Sequence, residues 1–283
     1  TGGRGNYTYS WSNGETTEDL SDITAGTYTV TATDENGCSV DSNIEITEPE
    51  EVTVSVNNIS VVSCPGGNDG SIDIEINGGF PPYDFIWSSV NGFSSIDEDI
   101  SNLVSGDYTL TILDNLNCSY DFSFFVPEVD AIIVQEVHQD VSCFGENDGS
   151  ISIDVFGGVP PFSYSWSNGF ITSNIDNLGP GDYILTVTDS NLCSQEIEVS
   201  ISEPALLTFQ VNTFDVSTCY SDPTGSAYLI INGGTPPYNQ NWYGFNPNAL
   251  TGGNYLVTVT DSNGCVFEEN FTINQPEELV LDI

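Results

Sequence analysis

The sequence contains four copies of a similar ten-residue segment, and this repetition limits the folds that it can adopt. The segments "GGRGNYTYSW", "GGFPPYDFIW", "GGVPPFSYSW" and "GGTPPYNQNW" end at Trp11, Trp87, Trp166 and Trp242. They recur about every 75 residues, which is the size of a small domain and longer than a solenoid unit. The sequence therefore predicts an array of similar small domains.

The pattern inside one unit indicates the fold of each domain. An apolar strand, a Cys and a Gly-rich acidic turn precede an alternating strand such as "SISIDVF", and after the glycine pair come an aromatic strand and two further strands. Alternation with β-branched and aromatic residues, broken by Gly, Pro, Asn and Asp, is typical of an antiparallel β-sandwich. Helical periodicity is absent, so we expect an all-β fold of tandem immunoglobulin-like β-sandwich repeats.

Two landmarks support this fold. The motif L/I-x-x-G-x-Y resembles the tyrosine corner of immunoglobulin-like domains, and it ends at Tyr28, Tyr108, Tyr183 and Tyr255. In the aromatic strand, Phe162, Tyr164 and Trp166 share one face, which predicts a core-facing strand. An aromatic platform for a ligand is the alternative explanation. The fourth unit departs from the pattern at Gln240.

The charge of the chain excludes several classes of function. It has one Lys or Arg against 42 Asp and Glu, for a formal net charge of -41. Such a surface repels nucleic acids and anionic lipids, so we expect no nucleic-acid partner. The sequence has no apolar run long enough for direct membrane insertion and no signal peptide of its own. With one His and one Arg, most acid-base and anion-binding groups are missing, and we expect no enzyme and no catalytic residues.

Taken together, "CFGENDGSI", "GGVPPFSYSWSNG", "LGPGDYILTVTDSNLC" and "ISEP" resemble the SprB-type repeat of very large surface adhesins of gliding bacteria. The resemblance covers the whole chain and is weakest in the fourth unit, which has "SDPTGSA" in its turn. It implies an extracellular filament at the cell surface, exported by type IX secretion and moved during gliding. The implied partners are neighbouring repeats of the same long chain, surface-motility or secretion components, and polysaccharide or surface ligands bound through other regions.

The joints between units set the expected domain boundaries. Segments such as "ITEPEEVTV" and "VPEVDAIIV" carry the last strand of one unit through a proline into the next, without a flexible linker. We expect the C-terminal part of a truncated repeat at 1–49, sandwich repeats at 50–128, 129–204 and 205–276, and the first strand of a further repeat at 277–283. This organisation predicts a head-to-tail rod and an excerpt of a longer protein.

Seven cysteines are expected to form disulfides in an exported chain: Cys38, Cys64, Cys118, Cys143, Cys193, Cys219 and Cys265. One pairing stays within each unit and joins Cys64 to Cys118, Cys143 to Cys193 and Cys219 to Cys265. The other joins neighbouring units, because immunoglobulin-like topology places the two cysteines of one unit at opposite poles, too far apart for a disulfide. It pairs Cys64 with Cys193 and Cys143 with Cys265, and leaves Cys38, Cys118 and Cys219 for partners outside the excerpt. Both pairings remain open at this point.

Acidic residues near the joints raise the question of calcium, the one cofactor that the sequence suggests. Turns such as "TDSNLC" and the proline-centred joints place hard oxygen ligands near one another in sequence. The candidate ligands are Asp34, Asp114, Asp189, Asp261, Glu48, Glu128 and Glu203. No complete calcium-loop motif is present, and Asp before Asn-Gly is also an ordinary hairpin turn.

Two functions fit the sequence. A structural stalk or adhesin filament, extending an adhesive tip or contacting the substratum during gliding, accounts for the repetition, the joints and the cysteines. An array of carbohydrate-binding modules is the alternative, and it requires exposed aromatic side chains. Tyr243, Phe245 and Phe93 are the candidates for that role.

Overall fold

The computed structural model describes residues 2–281, and all of its regular elements in that range are β-strands. The chain divides into two compact units, one of residues 1–62 and 66–128 and one of residues 63–65 and 129–283. Among the described residues, no helix exists that could cross a membrane. The fold is all-β, as the alternation of the sequence predicts.

The first unit contains ten strands in three sheets. Its first sheet has the order β1-β2-β3 and consists of β1 (Thr8–Trp11), β2 (Gly26–Thr33) and β3 (Ser39–Ile46). A second sheet, of order β4-β5-β8, consists of β4 (Thr53–Ser60), β5 (Gly70–Asn77) and β8 (Ile100–Leu103). The third has the order β10-β9-β6-β7 and consists of β6 (Asp84–Ser89), β7 (Ser94–Ser95), β9 (Gly106–Leu113) and β10 (Ser119–Val126). Within the repeat formed by β4 to β10, the first, second and fifth strands make one sheet, and the third, fourth, sixth and seventh make the other. This is immunoglobulin-like topology.

The second unit repeats this topology twice. Its first sandwich pairs a sheet of order β11-β12-β14 with one of order β13-β15-β16. These strands are β11 (Ile133–Gln139), β12 (Gly149–Phe156), β13 (Ser163–Trp166), β14 (Ile175–Leu178), β15 (Gly181–Thr188) and β16 (Ser194–Ile201). The next sandwich has β17 (Thr208–Phe214), β18 (Ser226–Asn232), β19 (Asn239–Asn241), β20 (Gly253–Thr260) and β21 (Val266–Ile273). In this sandwich, the strand that corresponds to β8 and β14 is reduced to a single bridge between Gly225 and Leu250.

The aromatic strand faces the core in the two most regular repeats. Trp87 is 1% exposed and Trp166 is 3% exposed, and each indole nitrogen donates to a backbone carbonyl, that of Asp97 at 3.0 Å and of Thr172 at 2.9 Å. Phe162 and Tyr164 pack against the same core as Trp166, so the core-facing prediction is confirmed. In the fourth repeat the strand differs, because Gln240 is exposed and Trp242 is only partly buried against Phe271.

The tyrosine corners are confirmed in all four copies. Each hydroxyl donates to the carbonyl oxygen four residues earlier, at distances of 2.8, 3.0, 2.9 and 2.9 Å for Tyr28, Tyr108, Tyr183 and Tyr255. Buried hydroxyls need such a partner, and the bond fixes the start of the sixth strand on the preceding loop.

The glycine pair turns the chain between the second and third strands of each repeat. Gly157 has φ +66°, and a Cβ there would lie on the carbonyl oxygen of Ala131. Gly78 and Gly233 stand in the same position against Glu51 and Leu206. The peptide bonds of the following proline pairs, Pro81-Pro82, Pro160-Pro161 and Pro236-Pro237, are cis. A side chain at the first glycine is therefore excluded by the backbone just before the first strand of the repeat.

This steric limit is testable with two glycine variants. We expect Gly157→Ala to lower the free energy of unfolding by more than about 3 kcal/mol or to prevent folding, because of both the positive φ and the clash. Gly169→Ala is the matched control, since Gly169 also has positive φ (+91°) but a Cβ there meets no atom within 4 Å. The control should lose about 1 kcal/mol. Equal losses in denaturant unfolding would contradict the steric argument.

Candidate functional site

Each repeat has an aspartate that fastens two turns to each other. Asp189 follows β15, and its Oδ1 accepts the backbone N–H groups of Asn191 and Cys193, both at 2.9 Å. Its Oδ2 accepts the N–H of Val159, the residue after the glycine pair, at 3.0 Å. Asp189 is buried, so these three N–H groups depend on its carboxylate. We call this arrangement the aspartate clamp.

The clamp recurs at every copy of the turn. Asp261 accepts from Asn263 and Cys265 through Oδ1, at 3.0 and 2.9 Å, and from Thr235 through Oδ2, at 2.8 Å. Asp114 accepts from Leu116, Cys118 and Phe80. Asp34 accepts from Asn36, Cys38 and Arg4. The glycine-pair motif and the Asp-to-Cys motif, which are about 30 residues apart in sequence, thus form one hydrogen-bonded structure.

Two of the glutamates predicted as ligands hold the other cysteine-bearing turns. Glu128 accepts the N–H of Gly66 at 2.9 Å, and Glu203 accepts the N–H of Gly145 at 2.8 Å. In the fourth repeat, Gln275 accepts from Ser221 in the same way, at 3.2 Å. A neutral amide serves there as well, which shows that this contact needs an acceptor and not a charge.

The cysteines form the second of the two pairings. Cys64 bonds to Cys193 and Cys143 bonds to Cys265, each with a Cα–Cα distance of 5.6 Å. The pairing within single repeats is wrong, because the two cysteines of a repeat lie at opposite ends of its strands. Of the predicted disulfide cysteines, Cys38, Cys118 and Cys219 are free thiols in the part of the chain that the structure describes.

An asparagine reinforces each disulfide. The side-chain amide of Asn191 donates to the carbonyl oxygen of Ser63 at 3.0 Å, and that of Asn263 donates to Ser142 at 3.0 Å. The Sγ of Cys193 lies 3.1 Å from the same Ser63 oxygen, and Cys193 is itself buried. Clamp, amide and disulfide together form what we call a cysteine junction. The sequence analysis singled out its cysteines and also its aspartates, the latter as candidate calcium ligands, but it missed the asparagines and the clamp, although the D-x-N-x-C spacing recurs at Asp34, Asp189 and Asp261.

The candidate calcium ligands do not form a cluster in the described range. Each aspartate lies in its clamp, whereas Glu128 and Glu203 lie beyond the far end of the following strand, and Glu48 is exposed. Within residues 2–281 no group of three or more His, Cys, Asp or Glu side chains is arranged to hold a metal ion. Calcium binding stays a prediction.

A thermal measurement tests that prediction. A cation bound to the folded chain alone would raise the melting temperature in millimolar calcium relative to EDTA. If ionic strength is matched with sodium chloride, a melting temperature equal in both buffers would contradict calcium binding.

The clamp also lowers the pKa of two of its carboxylates, those of Asp34 and Asp114. The pKa of Asp114 lies below its usual range, chiefly because the backbone N–H of Cys118 donates to the ionised form. The pKa of Asp34 is lowered by the N–H groups of Cys38 and then Arg4. Since the folded pKa is the lower one, this stabilisation is complete above the unfolded pKa of about 3.9 and is lost as pH falls through the folded value.

The pH dependence of stability distinguishes the hydrogen bonds of the clamp from the effect of removing one negative charge. Asp114→Asn should be less stable than the wild type at pH 7, because its amide cannot accept at both positions. The difference should shrink as pH falls below about 4, when the wild-type carboxyl is protonated. Asp107→Asn is the control, since it removes the same charge from an exposed position of the same repeat. Thermal unfolding at several pH values measures both; a constant Asp114→Asn difference would contradict the clamp's titration.

The aromatic candidates for carbohydrate binding are differently placed. Phe93 is partly buried and packs edge-on against Tyr108, with ring centroids 5.5 Å apart. Tyr243 and Phe245 are about half exposed, but the Tyr243 hydroxyl bonds to Thr258 Oγ1 at 2.9 Å and Phe245 packs edge-on against Tyr255. All three rings therefore have partners within the fold.

Comparison with known protein families gives matches in two regions of the chain. The family model described as "SprB repeat" matches residues 56–92 and 136–169, which include the entry cysteines and the glycine-proline turns. Two segments of the chain therefore match the SprB repeat. The SprB matches fall in the second and third copies, the two in which the aromatic strand is most regular. A comparison with curated protein sequences found no match.

Solved structures similar to this chain include arrays of immunoglobulin domains. "Sidekick-1 immunoglobulin domains 1-5" is 13% identical with a TM-score of 0.36, and covers 95% of this chain and 73% of that one. The eight N-terminal immunoglobulin domains of Down Syndrome Cell Adhesion Molecule isoform 1.30.30 are 10% identical with a TM-score of 0.37, and cover 94% and 56%. At these TM-scores the fold assignment rests on the strand order described above.

Proposed function

We propose that this chain is a structural segment of a long adhesin on the surface of a gliding bacterium, exported by type IX secretion. The observation that carries the proposal is the cysteine junction, which joins the entry turn of one repeat to the Asp-to-Cys turn of the next. The SprB repeats support the same role, since theirs is a non-catalytic family. Disulfides of this kind persist in oxidising surroundings, which fits an extracellular location.

The two disulfides overlap in sequence, and this suits a segment that carries tension. Cys143 lies between Cys64 and Cys193, so the shortest covalent path from Cys64 to Cys265 crosses the first disulfide, returns to Cys143, and crosses the second. That path contains only about 50 residues of extendable chain, or roughly 180 Å. The reduced chain offers about 200 residues between the same points, or roughly 700 Å.

The remaining parts of the proposal follow from this mechanical role. Repeats bounded at 50–128, 129–204 and 205–276 would act as successive structural units, and neighbouring repeats would be the main partners. Contacts with surface-motility or secretion components, and the grip on the substratum, would belong to other regions of the adhesin. Contact with nucleic acid and direct membrane insertion have no place in this role, and neither does catalysis.

Single-molecule stretching tests the load-bearing role. We expect the oxidised chain to reach a contour length about 500 Å shorter than the reduced chain, because tension crosses both disulfides. Cys143→Ser should release the second junction alone. The path from Cys193 to Cys265 would then follow the backbone and lengthen by the difference between about 72 and about 50 residues, roughly 80 Å.

A matched variant separates the junction from a general effect of losing a thiol. Cys38→Ser removes a free, exposed cysteine, and should leave the contour length of the oxidised chain unchanged. If the wild-type chain extends equally before and after reduction, the junctions do not carry load and the proposed role is wrong.

A further inference from the structure

The fourth repeat differs from its neighbours on the outward face of its second strand. Aligned on the glycine pair, "GSIDIEINGG" and "GSISIDVFGG" correspond to "GSAYLIINGG". Tyr228 stands where the second repeat has Asp73, and Ile230 stands where it has Glu75. These positions point away from the core in all three repeats, because alternate residues of a strand face opposite sides. Two carboxylates have thus been replaced by an aromatic and an aliphatic side chain in solvent.

A second ring completes an exposed aromatic pair. Phe214, at the end of β17, lies beside Tyr228 with ring centroids 6.3 Å apart and an interplanar angle of 26°. Phe214 is 60% exposed, Tyr228 is 50% exposed, and Ile230 is also exposed. Unlike Tyr243 and Phe245, these residues neither bond through a hydroxyl to the fold nor contact a core ring in the structure. Contiguous exposed apolar groups of this kind mark interaction sites.

The two strands that carry the pair have no charged residue at an outward position. The outward positions of β17 and β18 follow from the register of the two strands, and none of them is acidic: Thr208, Gln210, Asn212, Phe214, Ser226, Tyr228, Ile230 and Asn232. On a chain with 42 acidic residues, eight neutral outward positions form a distinct surface. We call it the β17–β18 face.

One amide on this face has no partner. Asn212 is opposite Tyr228 in the sheet and two residues before Phe214. Its side-chain nitrogen is covered and donates no hydrogen bond, the one such buried side-chain atom found among residues 2–281. A covered donor without an acceptor costs free energy, and such groups are uncommon in native proteins, so this one needs a physical explanation. Because this donor is covered, a bound molecule can reach it only if a neighbouring side chain moves.

We propose that the β17–β18 face binds a neutral carbohydrate. The apolar C–H face of a sugar ring fits against the paired rings of Phe214 and Tyr228, whose π faces carry partial negative charge. Hydroxyl groups at the edge of the sugar would accept from Asn212 and bond with Gln210. An anionic polysaccharide is excluded by the charge of the chain, and a neutral one is not. This site is independent of the cysteine junctions.

Calorimetric titration of the oxidised chain tests the proposal directly. The probes are neutral hexasaccharides derived from cellulose, laminarin, mannan and agarose, with an alginate hexasaccharide as the anionic comparison. We expect at least one neutral probe to bind and alginate not to bind. Phe214→Ala and Tyr228→Ala should each weaken binding by at least about tenfold. Tyr228→Asp should abolish it and still fold, because the second repeat carries Asp73 at that position.

The third repeat provides the matched control. Phe156 is an exposed ring on the outward face of β12, with Ile133 opposite it and no second ring beside it. Phe156→Ala should leave the affinity unchanged. The proposal is overturned if no neutral probe binds, or if Phe156→Ala weakens binding as much as Tyr228→Ala.

Sedimentation of the same variants tests whether a second copy of the chain, and not a carbohydrate, occupies the β17–β18 face. If the wild type self-associates, Tyr228→Asp abolishes the association, and no sugar binds, the face is an interface between copies of the chain and the carbohydrate proposal is wrong. The stretching experiment does not depend on either result, so failure here leaves the load-bearing role intact.

Discussion

The aspartate clamp is the interaction on which the rest of each repeat depends. One carboxylate accepts N–H groups from both its own turn and the glycine-pair turn, so it fixes the ends of four strands at one pole. A hydroxyl or amide could not replace it, since neither offers two oxygens that both accept. The clamp also sets the position of the following cysteine, because the N–H of Cys193 is one of its donors. The disulfide is therefore formed from a turn that is already held in place.

Most of the fold was predictable from local patterns in the sequence, whereas contacts between distant segments were not. Alternation and the repeated landmarks indicated sandwiches, and the motif ending at Tyr183 identified a corner whose bond spans only four residues. The disulfide pairing stayed open because the cysteine spacing allows two solutions, and only the pole at which each turn lies decides between them. The bond from Asp189 to Val159 was missed for the same reason, since it joins two turns 30 residues apart.

The clamp changes how the acidic turns should be understood. Calcium was suggested because carboxylates recur beside the joints, yet in the structure Asp114, Asp189 and Asp261 are buried acceptors of backbone N–H groups. This requirement alone explains why each turn carries an aspartate. At the turns that carry the entry cysteines, the fourth repeat has Gln275 where the others have a glutamate. A neutral hydrogen-bond acceptor is therefore sufficient at that position. The acidic residues therefore stabilise the turns as hydrogen-bond acceptors, whether or not a cation binds.

Strand alternation lets one repeat change its surface without changing its fold. In β18 the inward residues Ala227, Leu229 and Ile231 belong to the core, as do their counterparts in the other repeats, while the outward residues between them are free of packing constraints. Exchanging outward Asp and Glu for Tyr and Ile leaves the register and the glycine-pair turn intact. The missed pair of Phe214 and Tyr228 was detectable by comparing outward positions across the repeats, because the fourth differs there in kind. One repeat can thus acquire a different outward surface while its core and its turns stay the same.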